Sequence, residues 1–292
     1  MAPIVIFAFN RPDALQRLAD SLSKCVNYSE SDKIIYIDGA RNDTERERVN
    51  RVIDIARTIT SDVHISPVNR GLGASIIAGV TEVVNKYGTA IVLEDDLVPT
   101  PGFLLFMNEA LERYAADSRI ISICGYSLQV PRPDGYHGDV YLGERSSSWG
   151  WATWKDRWEV IDWTVADYES FRNDAAARRS FNRGGSDMAA MLDGYMQGRN
   201  RSWAIRFCYH QWRKGLFSVH PLRSLIGNEG FGADATNCRQ SYSRFRADFD
   251  TDSRQWLMPT DLQPNDTILA AARKYHSIPK RIYSKIRSIL HI

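Results

Sequence analysis

The chain has almost no net charge: 37 Lys and Arg stand against 35 Asp and Glu over 292 residues, a formal +2. That balance gives no electrostatic reason to bind nucleic acid. Cysteine is scarce. Cys25, Cys124, Cys208 and Cys238 are scattered with neither metal-ligand spacing nor the density of a disulfide scaffold, so a reduced, cytosolic setting is the simplest reading. No apolar run reaches the roughly 18 residues a spanning helix needs. The opening, MAPIVIFAFNRPD, has no basic segment before its apolar run and no small-residue cleavage site, so it is read as a first strand rather than an export signal. Repeats, low-complexity tracts and flexible linkers are also missing, which leaves one continuous globule with two halves. What is abundant is tryptophan: of eight, Trp149, Trp151, Trp154, Trp158 and Trp163 fall in one short segment.

The first half alternates strand and helix. IVIFAF (Ile4 to Phe9) reads as a buried strand, and Pro12 suits the first turn of a helix with Leu15, Leu18, Leu22 and Cys25 on one face. KIIYIDG is a second strand ending at Asp38-Gly39. A charged helix with Val49, Val52, Ile53, Ala56 and Ile59 inward leads to a short third strand, Val63 to Ile65. After NRGLG comes a helix carrying Ile76, Ile77, Val80, Val83, Val84 and Tyr87, closed by Gly88. AIVL is the next strand; Thr100 and Pro101 open a helix, and Ile120 to Ile123 is a fifth strand. This is an α/β pattern with a mostly parallel sheet covered on both faces. Beyond about residue 125 the alternation gives way to a Gly-, Pro-, Ser- and Trp-rich stretch, then mixed helices and loops.

Three like charges in a row, Glu94, Asp95 and Asp96, close the AIVL strand and run straight into a Pro-punctuated turn. Adjacent carboxylates repel, and holding them near a core costs free energy unless a cation or donors compensate. In an open α/β sheet ligands bind beyond the carboxyl ends of the strands. Phe9-Asn10, Asp38-Gly39 and the three acids all stand at such ends and should converge on one crevice. A hard cation, Mn²⁺ or Mg²⁺, held by one or two carboxylates and by substrate phosphates would relieve the repulsion. The acids then form a metal–diphosphate platform for a nucleotide. Acids after a strand are otherwise ordinary solvated loop residues. Asp38 alone could form an Asx-turn, and NRGLGAS could be a plain helix start, although Asn-Arg before a Gly-rich helix N-terminus also suits phosphate contact.

PIVIFAFNRP, YIDGARN, NRGLGASIIAGV and VLEDDLVPTPGF together resemble a glycosyltransferase of the GT-A fold. EDDLVPTPGF is similar to the acidic motif and turn of the N-acetylglucosaminyltransferase I type. SSSWGWATWKDRW resembles a segment of bacterial sugar transferases in that group. The resemblance runs over roughly residues 3 to 240. It implies that a nucleotide-diphosphosugar lies across the strand ends, with Asp96 ligating Mn²⁺ and Asp95 against the ribose. It also implies that Asp38 contacts base or ribose, that Asn10, Arg11, Asn69 and Arg70 line the nucleotide pocket, and that UDP is favoured over GDP or dTDP. Glu94 belongs to the same platform. On this reading residues 1–125 are the nucleotide-sugar-binding half, 126–265 the acceptor and catalytic half, and 266–292 a tail. In EGFGADATNC the relatives commonly carry a histidine where Asn237 stands, so any role for that histidine is lost here or has moved to His220.

An inverting transfer needs a carboxylate across the sugar from the phosphate to take the acceptor proton. The family places its base in a stretch comparable to NRGGSDMAAML, which singles out Asp187; Glu229 and Asp193 are rivals, and a helix cap is the alternative role for Asp187. Trp151, Trp154 and Trp158 have helical spacing that reads as core, while Trp149 and Trp151 could border the donor sugar. Trp203 and Arg206 in SWAIRF either face the donor or fix a loop. From Arg273 to Ile292 there are six Lys or Arg and no acid, with Ile278, Ile282, Ile286, Ile289 and Leu290 at helical spacing broken only by Pro279. A basic amphipathic helix lies on an anionic membrane surface or packs on its own domain. A lipid-linked glycan acceptor at the cytoplasmic leaflet would suit the first.

A sugar nucleotidyltransferase should carry a Gly-rich phosphate loop directly after strand one, where this chain has FNRPD. A dinucleotide-dependent oxidoreductase needs a third glycine that GLGASI lacks. A glycan-binding protein with a decayed transferase site is the non-enzymatic rival, and the intact acids weigh against it. The expected activity is a metal-dependent, inverting transfer of a hexosyl or N-acetylhexosaminyl group in bacterial surface-polysaccharide assembly.

Overall fold

Strand β1 (Ile4–Ala8) is buried at all five positions, as a strand covered on both faces must be. The computed structural model describes residues 1–229 and 249–290, and in it β1 pairs in parallel with β2 (Lys33–Ile37) on one side and β4 (Thr89–Glu94) on the other. β3 (Val63–Ile65) extends the sheet beyond β2. Between these strands run α1 (Pro12–Leu22), α2 (Asp43–Ile59) and α3 (Leu72–Tyr87). Each terminates as its sequence indicates: Pro12 opens α1, Asn42 caps α2 by accepting from the Glu45 N–H at 2.9 Å, and Gly88 closes α3 in the left-handed region at φ 82°. Then come β5 (Leu97–Pro99), α4 (Phe103–Arg113) and β6 (Ile120–Cys124).

The second half completes the same sheet. β7 (Val140–Gly143), β8 (Trp151–Trp154) and β9 (Phe217–Pro221) join it to give the order β3-β2-β1-β4-β8-β6-β9-β7, with β7 and β8 antiparallel to the other six. The sheet is therefore mixed but mostly parallel. β10 (Ile226–Asn228) makes a small antiparallel pair with β5. Helices α5 (Lys155–Trp158), α6 (Tyr168–Asn173), α7 (Ala175–Phe181), α8 (Met188–Met196) and α9 (Trp203–Arg213) form most of the second half, with Phe171, Phe181, Leu192, Ile205 and Tyr209 in their own buried cluster.

The helical stripe expected for Trp151, Trp154 and Trp158 is not what forms. Residues 151–154 are a strand inserted between β4 and β6, and in a strand positions three apart point to opposite faces. Trp154 joins the α4 face, its indole N–H donating to the Leu111 carbonyl at 3.2 Å. Trp151 joins the other face, with ring centroids 5.2 Å from Trp203, 5.6 Å from Phe207 and 5.6 Å from Trp158. At 1 % exposure Trp151 has no free ring face for a sugar, which corrects its expected place beside the donor.

The tail is two helices rather than one. α10 (Asp266–Tyr275) is capped by Asn265 and buries Ile268 and Leu269 against the body. The chain breaks at His276-Ser277, so Pro279 stands in the first turn of α11 (Ile278–Leu290), where its missing N–H costs nothing.

Candidate active site

β1 and β4 end side by side, with Phe7 paired to Glu94, and the chain turns at once so that the Asp95 N–H donates to the Phe7 carbonyl at 3.1 Å. Asp95 is 2 % exposed. Its Oδ2 accepts from the Phe9 N–H at 3.3 Å and its Oδ1 accepts from the Arg11 guanidinium. The other arm of that guanidinium donates to Asp96 Oδ2 at 2.9 Å. One cation thus serves three clustered acids. Burial, with Asp96 and Asp95 adding repulsion, pushes Glu94 up to about 8 against the pull of Arg11. Burial likewise pushes Asp95 up to about 6 in spite of Arg11 beside it, with Asp96 adding to the rise. Arg11 compensates the cluster only in part.

Asp96 Oδ1 is buried and has no hydrogen-bond partner among the described residues. An unsatisfied buried acceptor costs roughly 1–3 kcal/mol, more when charged. A hard divalent cation on this oxygen would remove that cost, so the residues present fit the metal that the sequence implies. Among the described residues no group of three or more His, Cys, Asp or Glu could hold a metal alone. The remaining ligands would be phosphate oxygens and water, the usual way Mg²⁺ is held. Asn237 lies outside the described residues.

Asp38, at the end of β2, is 6 % exposed and fully engaged. Its Oδ1 accepts from the N–H groups of Gly39 (3.0 Å) and Arg70 (2.8 Å), and its Oδ2 from that of Gly71 (2.8 Å). The Asn69 side-chain amide donates to the Gly39 carbonyl at 2.8 Å. A Cβ at Gly39 would lie 2.5 Å from the Val68 carbonyl carbon, so only glycine admits this approach. Asp38 therefore binds the 69–71 loop to β2 and sets where Arg70, itself exposed, projects. Asp38→Ala strands three N–H groups and is expected to cost about 2–3 kcal/mol in a urea melt. It should also loosen any ligand held by Arg70; unchanged stability would show that the three hydrogen bonds do not form.

Farther along the same sheet edge, at the ends of β6 and β9, lies a cavity of about 240 Å³. Its wall includes Tyr126, Arg145, the Ser146-Ser147-Ser148-Trp149 run, His220, and Arg273 and His276 from the tail. Asp187 stands beside it at the N-terminus of α8, 8 % exposed. It does not cap: its side chain makes no hydrogen bond to the first turn, and Oδ1 instead accepts from Arg145 Nη1 at 2.9 Å. Burial opposes its charge, yet Arg145, with His276 behind it, holds the carboxyl below its ordinary value.

Its rivals are placed otherwise. Asp193 is gripped by both arms of Arg178 at 2.9 and 2.7 Å and by the Tyr168 hydroxyl at 3.1 Å, a structural tie. Glu229 is half exposed and paired with Arg17 at 2.9 Å, although its N–H reaches the Asp96 carbonyl at 3.0 Å. Arg206 donates to the Trp163 carbonyl at 2.6 Å and stacks on Tyr195 of α8 at 4.3 Å, which fixes the segment between α5 and α6. Trp203 is core.

His220 is not available to a metal. Nδ1 lies 3.0 Å from the Tyr126 carbonyl and Nε2 3.1 Å from the Arg145 carbonyl, so both nitrogens face acceptors and both bonds form only when the ring is doubly protonated. Burial resists that charge, but Cys124 across the strand pair draws the imidazole up while His220 draws the thiol down. Sequence reasoning missed this couple and also Arg145. The usable signal was register: two adjacent parallel strands both ending in chemistry-bearing residues.

Residues 4–157, more than half the chain, match the family model described as Glycosyl transferase family 2. The chain belongs to glycosyl transferase family 2. With that membership, its mixed, mostly parallel α/β sheet is of the GT-A kind. No curated protein matches the sequence. Solved structures similar to this family 2 chain include TarS of S. aureus (13 % identity, TM-score 0.40, over 56 % of this chain and 30 % of that one). Another is GalNAc-T7 with UDP, GalNAc and Mn²⁺ (11 %, TM-score 0.46, 78 % and 43 %). A third is the glucosyl-3-phosphoglycerate synthase of Mycobacterium tuberculosis with Mg²⁺ and UDP (16 %, TM-score 0.33, 53 % and 57 %). The chain thus spans 30 to 57 % of the length of these proteins.

Proposed function

We propose that this chain is a metal-dependent, inverting glycosyltransferase that moves a hexosyl or N-acetylhexosaminyl group from a nucleotide-diphosphosugar, UDP-linked by preference, to a glycan hydroxyl. The observation that carries this reading is the unsatisfied Asp96 Oδ1 beside an Arg11-bound Asp95, where β1 and β4 end. Asp38 holds the loop that offers Asn69 and Arg70 to the base, Asp95 meets the ribose, and Asn10 with Arg11 borders the diphosphate. A bound Mn²⁺ or Mg²⁺ at Asp96 supplies Lewis-acid stabilisation of the leaving diphosphate. The likeness of the acidic turn to the N-acetylglucosaminyltransferase I type supports the UDP preference.

Asp187 takes the proton from the acceptor hydroxyl as that oxygen attacks the anomeric carbon from the face opposite the diphosphate. Arg145 keeps the carboxylate ionised and aimed. The cavity beside it holds the acceptor. On α11, Ile278, Ile282, Tyr283 and Ile286 are 49 to 58 % exposed among Lys280, Arg281, Lys285 and Arg287, which suits a helix lying on an anionic cytoplasmic membrane face. Among the described residues no helix is long and apolar enough to cross one. A lipid-linked glycan in bacterial surface-polysaccharide assembly fits this arrangement.

Calorimetric titration of UDP, GDP and dTDP with Mn²⁺, then with EDTA, tests the reading. One nucleotide should bind at least tenfold more tightly than the others and lose at least a hundredfold with EDTA or in Asp96→Ala. Binding of none would end the transferase reading.

A further inference from the structure

The basic side chains at the mouth of the cavity exceed what the chain itself needs. Glu144 Oε1 accepts from Arg183 Nη2 at 2.9 Å, and Glu144 Oε2 accepts from Arg273 Nη2 at 3.1 Å and from Arg273 Nε at 3.3 Å. Two guanidinia therefore close on one carboxylate, Arg183 from the turn before Asp187 and Arg273 from the last turn of α10. Arg145 is balanced by Asp187. Three arginines against two acids leave an excess of one positive charge at this mouth before either histidine is counted. Both Glu144 partners are reachable, with side chains 58 % (Arg183) and 36 % (Arg273) exposed. Deeper in, Tyr126, Trp149 and the serine run offer the flat and hydroxylated wall that a sugar ring uses. Five residues after Arg273, α11 begins and exposes its apolar and basic side chains.

We propose that this cavity receives an acceptor glycan carrying a phosphate ester, with the phosphate held by Arg183 and Arg273 in the place where Glu144 now serves them. Paired guanidinia bind a tetrahedral oxyanion through parallel, charge-assisted hydrogen bonds, a task for which arginine is better shaped than lysine. The sugar occupies the cavity with a hydroxyl toward Asp187, and the phosphate sits at the mouth facing α11. This deepens the transferase reading and rests on it. The phosphate belongs either to a soluble sugar phosphate or to a membrane lipid that carries the glycan.

The test uses the full chain. α-D-glucose 1-phosphate and D-glucose are titrated calorimetrically, with UDP–Mn²⁺ titrated separately as the measure of the donor site. The phosphate ester is expected to bind at least tenfold more tightly than glucose, and Arg183→Gln/Arg273→Gln to abolish that margin while UDP binding stays as in the unaltered chain. Glu144→Gln, which removes the internal competitor, is expected to tighten glucose 1-phosphate at least threefold. This variant answers the question even if the arginine pair is needed for folding. Equal affinity for ester and glucose, or weaker ester binding in Glu144→Gln, overturns the proposal; loss of UDP binding alone overturns the donor reading instead. A vesicle arm separates the sources. Recruitment to phosphatidylcholine vesicles holding phosphatidic acid, lost in the arginine variant and competed by glucose 1-phosphate, assigns the phosphate to a lipid. Recruitment indifferent to both, with the calorimetric margin intact, assigns it to a soluble ester.

Discussion

Asp187→Asn is expected to lower kcat about a thousandfold, within the usual range for a lost general base, and to leave nucleotide affinity unchanged. That loss is about 4 kcal/mol of barrier. Because Arg145 lowers the Asp187 carboxyl, the acid limb of the kcat profile, read with metal and donor saturating so that Glu94 and Asp95 do not set it, should fall below the ordinary carboxylate value of about 4. The sign for stability agrees. A depressed acid contributes stability that is present above its unfolded value and is lost as pH falls through its folded one. Arg145→Gln should move the acid limb upward while donor affinity holds. A profile that stays in place in Arg145→Gln, or an active Asp187→Asn, would remove Asp187 from the chemistry and return Glu229 to consideration.

Trp151→Ala should cost about 3–5 kcal/mol, as for other large aromatic truncations in cores. The indole meets Trp158, Trp203 and Phe207 and ties β8 to α9. A denaturant melt reads the loss, and Trp151→Phe should recover much of it. A residue beside the donor sugar would behave in the opposite way, losing sugar affinity with little change in the melt. That outcome would restore the role the sequence suggested for it.

The parts of the fold that were legible in the sequence share a property. β1, β2 and β4, with α1, α2 and α3, are close neighbours along the chain, and their apolar periods, Pro12 and Gly88 report local geometry directly. β8 was not legible, because indoles three and four residues apart suit a helix stripe as readily as a two-faced strand that runs into a helical turn. Only the choice of partners, β4 and β6, decides between them. The acidic turn was found for a sound reason, the cost of clustered like charge, and the structure adds the partial answer of Arg11. The roles of Asp38 and His220 were hidden because each depends on backbone groups distant in sequence: the Arg70 and Gly71 amides for one, the Tyr126 and Arg145 carbonyls for the other.

The insertion of β8 also bears on how the chain folds. β4 and β6, though successive among the parallel strands, do not touch; the strand between them is made some thirty residues after β6, and β9 a further sixty after that. Residues 1–125 thus end with an unpaired edge on β4 and with β6 detached, however regular their pattern. During synthesis that apolar edge is exposed until residue 154 has been made, a template for mispairing with other chains. The first 125 residues acquire a continuous sheet only through β8, which the later part of the chain supplies between β4 and β6.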